Sequence, residues 1–234
     1  MLHITEPAPM THPPVTSTRP ATAAALTATL GLAALAWLLT VRQMGGMDMG
    51  VATPLGPFAP FVAFWAVMMA AMMLPAAVPA VLQRARAGGR IPAVLLFVGS
   101  YLLVWTLFGA LVFVVYRPHG TVAAGLLVIG AGVYEFTRVK RECRRRCRER
   151  AGSGLTFGLA CAGSSIGLMV MLVALGVMSI PWMIVIALLV LAQKLFPARA
   201  AVDVPVALAI VALGVLILIA PSSVPGIMPS MSSM

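Results

Sequence analysis

Two pairs of methionines are the first residues in this chain whose spacing could do chemistry. Met68 and Met72, and Met69 and Met73, stand four apart within the apolar run 61–79. On a helix, residues at that spacing lie one turn apart on the same face. Thioethers are soft donors and suit soft ions such as Cu(I) or Ag(I). Pro75 and Pro79 follow. Each removes a backbone donor and disturbs the turn before it, so a proline-broken helix with freed carbonyls is expected beside the thioethers. The same methionines also fit as gap-fillers in a helix bundle, and residue type leaves both readings open.

Further soft donors lie elsewhere. Met44, Met47 and Met49, with Asp48, fall within six residues after the first apolar run, and Met228, Met231 and Met234 end the chain. Flexible thioether-rich segments suit capture of a soft ion, although a frayed terminus can carry methionine incidentally. Cys143 and Cys147 sit in the arginine-rich stretch 138–150. If the preceding helix continues through it, both share a face, and the positive charge is expected to lower their thiol pKa. That would make a soft-metal or redox pair. The alternative is a basic surface helix held by anionic lipid headgroups, its cysteines incidental. Cys161 is followed by Gly163, Ser164 and Ser165.

The elements that must position these groups follow from composition. The 234 residues are 61% hydrophobic and 9% charged, with a mean hydropathy of +1.03. This predicts an all-α, polytopic transmembrane helix bundle with the lipid bilayer as its solvent. The net charge of +10 does not indicate nucleic acid, because the basic residues sit in short segments between apolar runs. Seven runs are predicted to span, near 21–41, 58–82, 92–116, 121–138, 154–178, 181–196 and 204–221, the sixth short and forming a hairpin with the fifth. An N-in, C-out topology places fourteen of the 16 basic residues on the cytoplasmic side and leaves Arg42 and Arg117 outside. Residues 1–20 then form a disordered cytoplasmic tail containing His3 and His12, 21–221 a single helical domain, and 222–234 a Met-rich extracytoplasmic tail. The start lacks the basic region of a signal peptide. Three cysteines at or near the cytoplasmic side argue against a structural disulfide.

Helical rise places Met68 to Met73 about 15–22 Å from the outer end of the second run, and Cys161 and Ser164 about 10 and 15 Å from the inner end of the fifth. These levels coincide, so the fifth run is expected to face the methionines, its small residues permitting close approach. Glu135 is expected to snorkel to Arg138 in a salt bridge, and Gln193 with Lys194 to anchor the sixth run at the interface.

Trp65 to Pro75 with Pro79, the segment Gly132 to Lys140 with Cys143 and Cys147, and Gly158 to Met169 with Gly176 to Met178 and Trp182-Met183 together resemble a bacterial family of predicted metal-binding integral membrane proteins. The resemblance spans roughly 58–200 and implies a multi-pass protein of the bacterial inner membrane. Where that family tends to carry Gly-Cys-Cys-Trp, this chain has Gly163-Ser164-Ser165-Ile166, and Gln193 stands where a glutamate is usual. An intramembrane site here would therefore rest on methionine and Cys161.

The functional expectation is a non-enzymatic handler of Cu(I), with outer methionine capture, a thioether site at mid-membrane and thiols at the inner face. A metallochaperone or a membrane complex undergoing assembly would be its partner. The rival is a scaffold subunit that has lost the metal site. No Ser/His/Asp set or carboxylate pair supports an enzyme, and His119 is the only histidine beyond the tail.

Overall fold

The computed structural model describes residues 18–45, 55–87, 91–149, 152–177, 179–196 and 200–224. Among these, eight α-helices and a 3-10 turn at Pro221–Ser223 make up the regular structure, with no strand. The helices are α1 (Thr18–Met44), α2 (Phe58–Arg86), α3 (Ile91–Val115), α4 (Thr121–Glu135), α5 (Arg138–Arg148), α6 (Gly154–Leu175), α7 (Ile180–Leu195) and α8 (Ala200–Ile219).

Every predicted run is helical, but the count of spans differs. Four helices (α1, α2, α3 and α6) are long and apolar enough to cross a membrane, and a fifth crossing results if α4 and α5, bent by 62°, count as one. The apolar helices α7 and α8 are shorter. The fourth helix does not continue into the arginine-rich stretch as expected. Thr137 ends it, because its side chain accepts from the Lys140 N–H at 3.3 Å as the N-cap of a new helix and donates to the Tyr134 carbonyl at 2.8 Å.

Helix α2 is the axis of the bundle, packed on α1, α3 and α7. Residues Met68 to Leu74 are buried without interruption, so no side of the helix at that level meets lipid or water. Trp65 donates its indole N–H to the Trp105 carbonyl at 3.0 Å, which fixes α2 against α3. Pro75 and Pro79 lie inside one continuous helix rather than breaking it. Packing on neighbouring helices is the condition under which proline is tolerated in such a segment.

The small residues of α6 are not spent on α2. A methyl at Gly158 would meet Val104 of α3 at 2.9 Å, and one at Gly163 would meet the Cys143 sulphur of α5 at 2.7 Å. Helix α3 packs on both α2 and α6, and its Tyr101 side chain reaches both at one point. Helix α8 packs on α4 through glycines: a methyl at Gly214 would lie 2.8 Å from the Ile129 nitrogen, and one at Gly132 2.9 Å from the Val211 nitrogen. At one end of the bundle, Arg84 of α2 donates to the Gly152 carbonyl ahead of α6, and Arg148 of α5 to the Lys194 and Leu195 carbonyls of α7. Most of the basic residues gather there.

Candidate metal centre

The four methionines of α2 are all buried, at 0 or 1% exposure. Met72 lines an apolar cavity of about 340 Å³ shared with Trp37 of α1 and Ile184 of α7, and Pro75 lies in the same wall. Met44 is not part of a solvated capture loop. It is the last residue of α1, 4% exposed, and lines a cavity of about 420 Å³ with Phe61, Phe64 and Val67 of α2. Its packing against α2 outweighs the hydration that a loop would give it. Met47 and Met49 lie outside the described residues, as do the terminal methionines.

The cysteines divide. Cys143 and Cys147 share a face of α5, but Cys143 packs against Gly163 while Cys147 reaches the interior. The Lys194 Nζ lies 2.7 Å from the Cys161 sulphur, 3.5 Å from the Cys147 sulphur and 3.4 Å from the Ser164 hydroxyl. One ammonium thus joins thiols from α5 and α6 through α7. Ser164 completes the cluster, its hydroxyl donating to the Cys161 carbonyl at 2.8 Å and lying 3.9 Å from the Cys147 sulphur. Behind it, the Tyr101 hydroxyl donates to the Met73 carbonyl at 3.3 Å and touches the Cys161 sulphur at the same distance. This is the mediated link from α6 to the methionine helix, and it places Cys161 and Met73 at one level.

In front of the cluster a cavity of about 420 Å³ opens among α2, α5 and α7, with Pro79, Gln83, Arg144, Cys147, Glu149 and Lys194 in its wall. Charge around it does not act on Cys147 as the arginine density led one to expect. Its hydrogen bond with Cys161 and its burial push the Cys147 thiol up, with Lys194 pulling the other way. Arg145 and Arg146 instead turn to Glu142, whose carboxyl their hydrogen bonds hold down at about 2.

Two polar residues have roles other than those expected. Glu135 is buried and pairs with Lys140 of α5, not with Arg138. Gln193 lies between them, accepting from Lys140 at 2.9 Å and donating to Glu135 at 2.8 Å. Arg144, also buried, donates to the Gln193 carbonyl and pairs with Asp203 of α8. Gln193 is therefore the hub of a charge network rather than an anchor or a ligand. Lys194, expected only as an interfacial anchor, and Tyr101 are the cluster residues that the sequence does not point to. The available signal for Lys194 was its position, a lysine closing an otherwise apolar helix.

Among the described residues no group of three or more His, Cys, Asp or Glu is placed to hold a metal. A four-ligand site of the structural zinc type has no basis here. Two thiols backed by buried thioethers are a soft donor set, which fits copper in its monovalent form.

The described residues bring membrane-length apolar helices and buried sulphur donors into one helical bundle. The chain belongs to the PpoB2 family of copper chaperones, whose family model matches residues 62–217. The match covers α2 through most of α8 and includes every residue of the thiol cluster. Neither the curated proteins nor the solved structures contain a match to it.

Proposed function

We propose that this protein is an integral membrane copper chaperone that takes Cu(I) at Cys147 and Cys161 and transfers it without chemical conversion. The observation that carries the reading is the convergence of two thiols from separate helices on one Lys194 ammonium, with Cys147 and Lys194 in the wall of a cavity. Membership in a copper chaperone family supplies the metal. Cu(I) favours thiolates and thioethers, and exchange between such ligands needs no redox step. The methionines of α2 are further buried soft donors, and the α2 backbone at Met73 meets the thiol cluster through the Tyr101 hydroxyl. In this reading the bundle sits in a bacterial inner membrane, with the α5 end on the cytoplasmic side and its exposed arginines against anionic headgroups. A metallochaperone or an apo-metalloenzyme is the partner.

The test is copper content by mass spectrometry on full-length protein purified under reducing conditions with Cu(I) supplied. Wild type is expected to retain copper and the Cys147→Ser/Cys161→Ser variant to lose it. Exchange of Met68, Met69, Met72 and Met73 for leucine should leave the thiol-bound ion but block its transfer to an acceptor. Equal copper in wild type and the double serine variant would remove the reading.

A further inference from the structure

We infer that Lys194 is the resident cation of the copper site, a tethered ammonium that the incoming Cu(I) displaces. The inference rests on the thiol reading above and adds how the site is filled. The Lys194 Nζ stands against both sulphurs, 2.7 Å from Cys161 and 3.5 Å from Cys147, contacts that a cation bound to both thiols would take over. It also stands over the Phe157 ring, 5.9 Å from its centroid, so its surroundings are those of a bound cation rather than of a solvated side chain. A lysine at a helix end ordinarily extends its head group to water. This one turns inward.

The cavity gives the ammonium somewhere to go. Lys194 and Glu149 are both in its wall. Glu149 is 58% exposed and its side chain is shared only loosely with Arg145, at 3.4 Å. An exposed pair of that kind contributes little, so the carboxylate can accept a second cation. The volume of about 420 Å³ is many times the roughly 30 Å³ share of one water, enough for the head group to cross.

Filling the site is then an exchange. Two S–Cu bonds form and the N–H contacts from Lys194 to the sulphurs break. Each sulphur that binds as a thiol gives up its proton to the cavity, and the ammonium moves with its charge to Glu149. The Cu(I) ion takes the position the ammonium leaves, so the sulphurs face a cation before and after. The resident ammonium therefore lowers affinity, and it keeps release to a partner within reach.

The experiment is a competition for Cu(I) between the full-length protein in detergent and a colorimetric Cu(I) chelator, at one fixed pH, with folding monitored by thermal melting. Lys194→Met keeps the length of the side chain and removes the competing cation. It is expected to bind Cu(I) about tenfold more tightly, the scale of one charge-assisted hydrogen bond. Lys194→Arg retains a cation and should show no gain. Glu149→Gln, a surface change that leaves the interior intact, should weaken binding by about two- to fivefold, because the displaced ammonium loses its acceptor. Weaker or unchanged binding by Lys194→Met, or unchanged binding by Glu149→Gln, overturns the exchange. If Cys147→Ser/Cys161→Ser binds as wild type does, the thiol reading itself fails, an outcome distinct from the other two.

Discussion

The Tyr101 hydroxyl and the Cys161 sulphur lie 3.3 Å apart, and the same hydroxyl reaches the Met73 carbonyl. One phenol, carried by α3, thus couples the thiol cluster on α6 to the methionine helix. Tyr101→Phe removes that coupling with little change in packed volume. We expect a loss of about 1 kcal/mol in stability, the usual net value of one buried hydrogen bond, measured by denaturation in detergent. Copper bound at the thiols should persist, while its passage to an acceptor slows.

Glu135 and Lys140 are a buried ion pair bridged by Gln193. Removing one partner leaves an uncompensated charge in the interior. Glu135→Gln is therefore expected to cost about 3–5 kcal/mol, and Glu135→Gln combined with Lys140→Met to recover most of it. Thermal unfolding of the single and double variants checks this. Equal stability of the single variant and wild type would show that the pair is solvated.

Cys147 gives a pH prediction. Its thiol is raised by the hydrogen bond with Cys161 and by burial. A group that binds its proton more tightly when folded stabilises the fold below its ordinary value and loses that contribution as pH rises above it. Wild type should therefore lose more thermal stability than Cys147→Ser between about pH 8 and pH 10, around the ordinary thiol value near 8.5. Alkylation of Cys147, followed by peptide mapping, should stay flat over the range in which a free peptide thiol becomes reactive.

Gly214 and Gly132 let α8 and α4 approach closely. A β-branched residue at Gly214 would drive its Cβ to within 2.8 Å of the Ile129 nitrogen, so the backbones must separate. Gly214→Val is expected to destabilise by about 1–3 kcal/mol or more as an overpacking change. Its readout is earlier melting and faster proteolysis of the α8 segment, with thiol chemistry at Cys161 preserved until the bundle opens.

The placement of the helices followed closely from hydropathy, because a residue facing lipid and a residue facing a packed neighbour are both apolar. That same degeneracy hid the centre of the bundle. Nothing in the string from Met68 to Met73 distinguishes a helix with one lipid face from one enclosed on every side, as α2 is. The depth arithmetic put Cys161 and Met73 at one level, and Tyr101 touches both. It could not reveal that Tyr101 of α3 would join them, since rise along an axis carries no information about rotation or neighbours. Cys147 and Cys161 were each visible as soft donors, but Lys194 was read as an interfacial anchor because lysine at a helix end usually is one. The separate helix α5 turned on a single cap, Thr137, within a polar stretch where any break is hard to locate.

The pairing of α4 with α8 carries a consequence for how the chain is made. Helix α4 emerges from the ribosome well before α8, yet α8 supplies the surface that covers its glycines. Asp203 at the start of α8 also holds Arg144, and through it the helix that carries Cys147. Until synthesis reaches α8, α4 must wait with an open face and α5 without its tether to Asp203. The thiol cluster, though it contains no residue of α8, becomes complete only when that helix is inserted. A nascent chain halted before α8 would thus carry every residue of the thiol cluster and still lack the contacts that hold α4 and α5 in place.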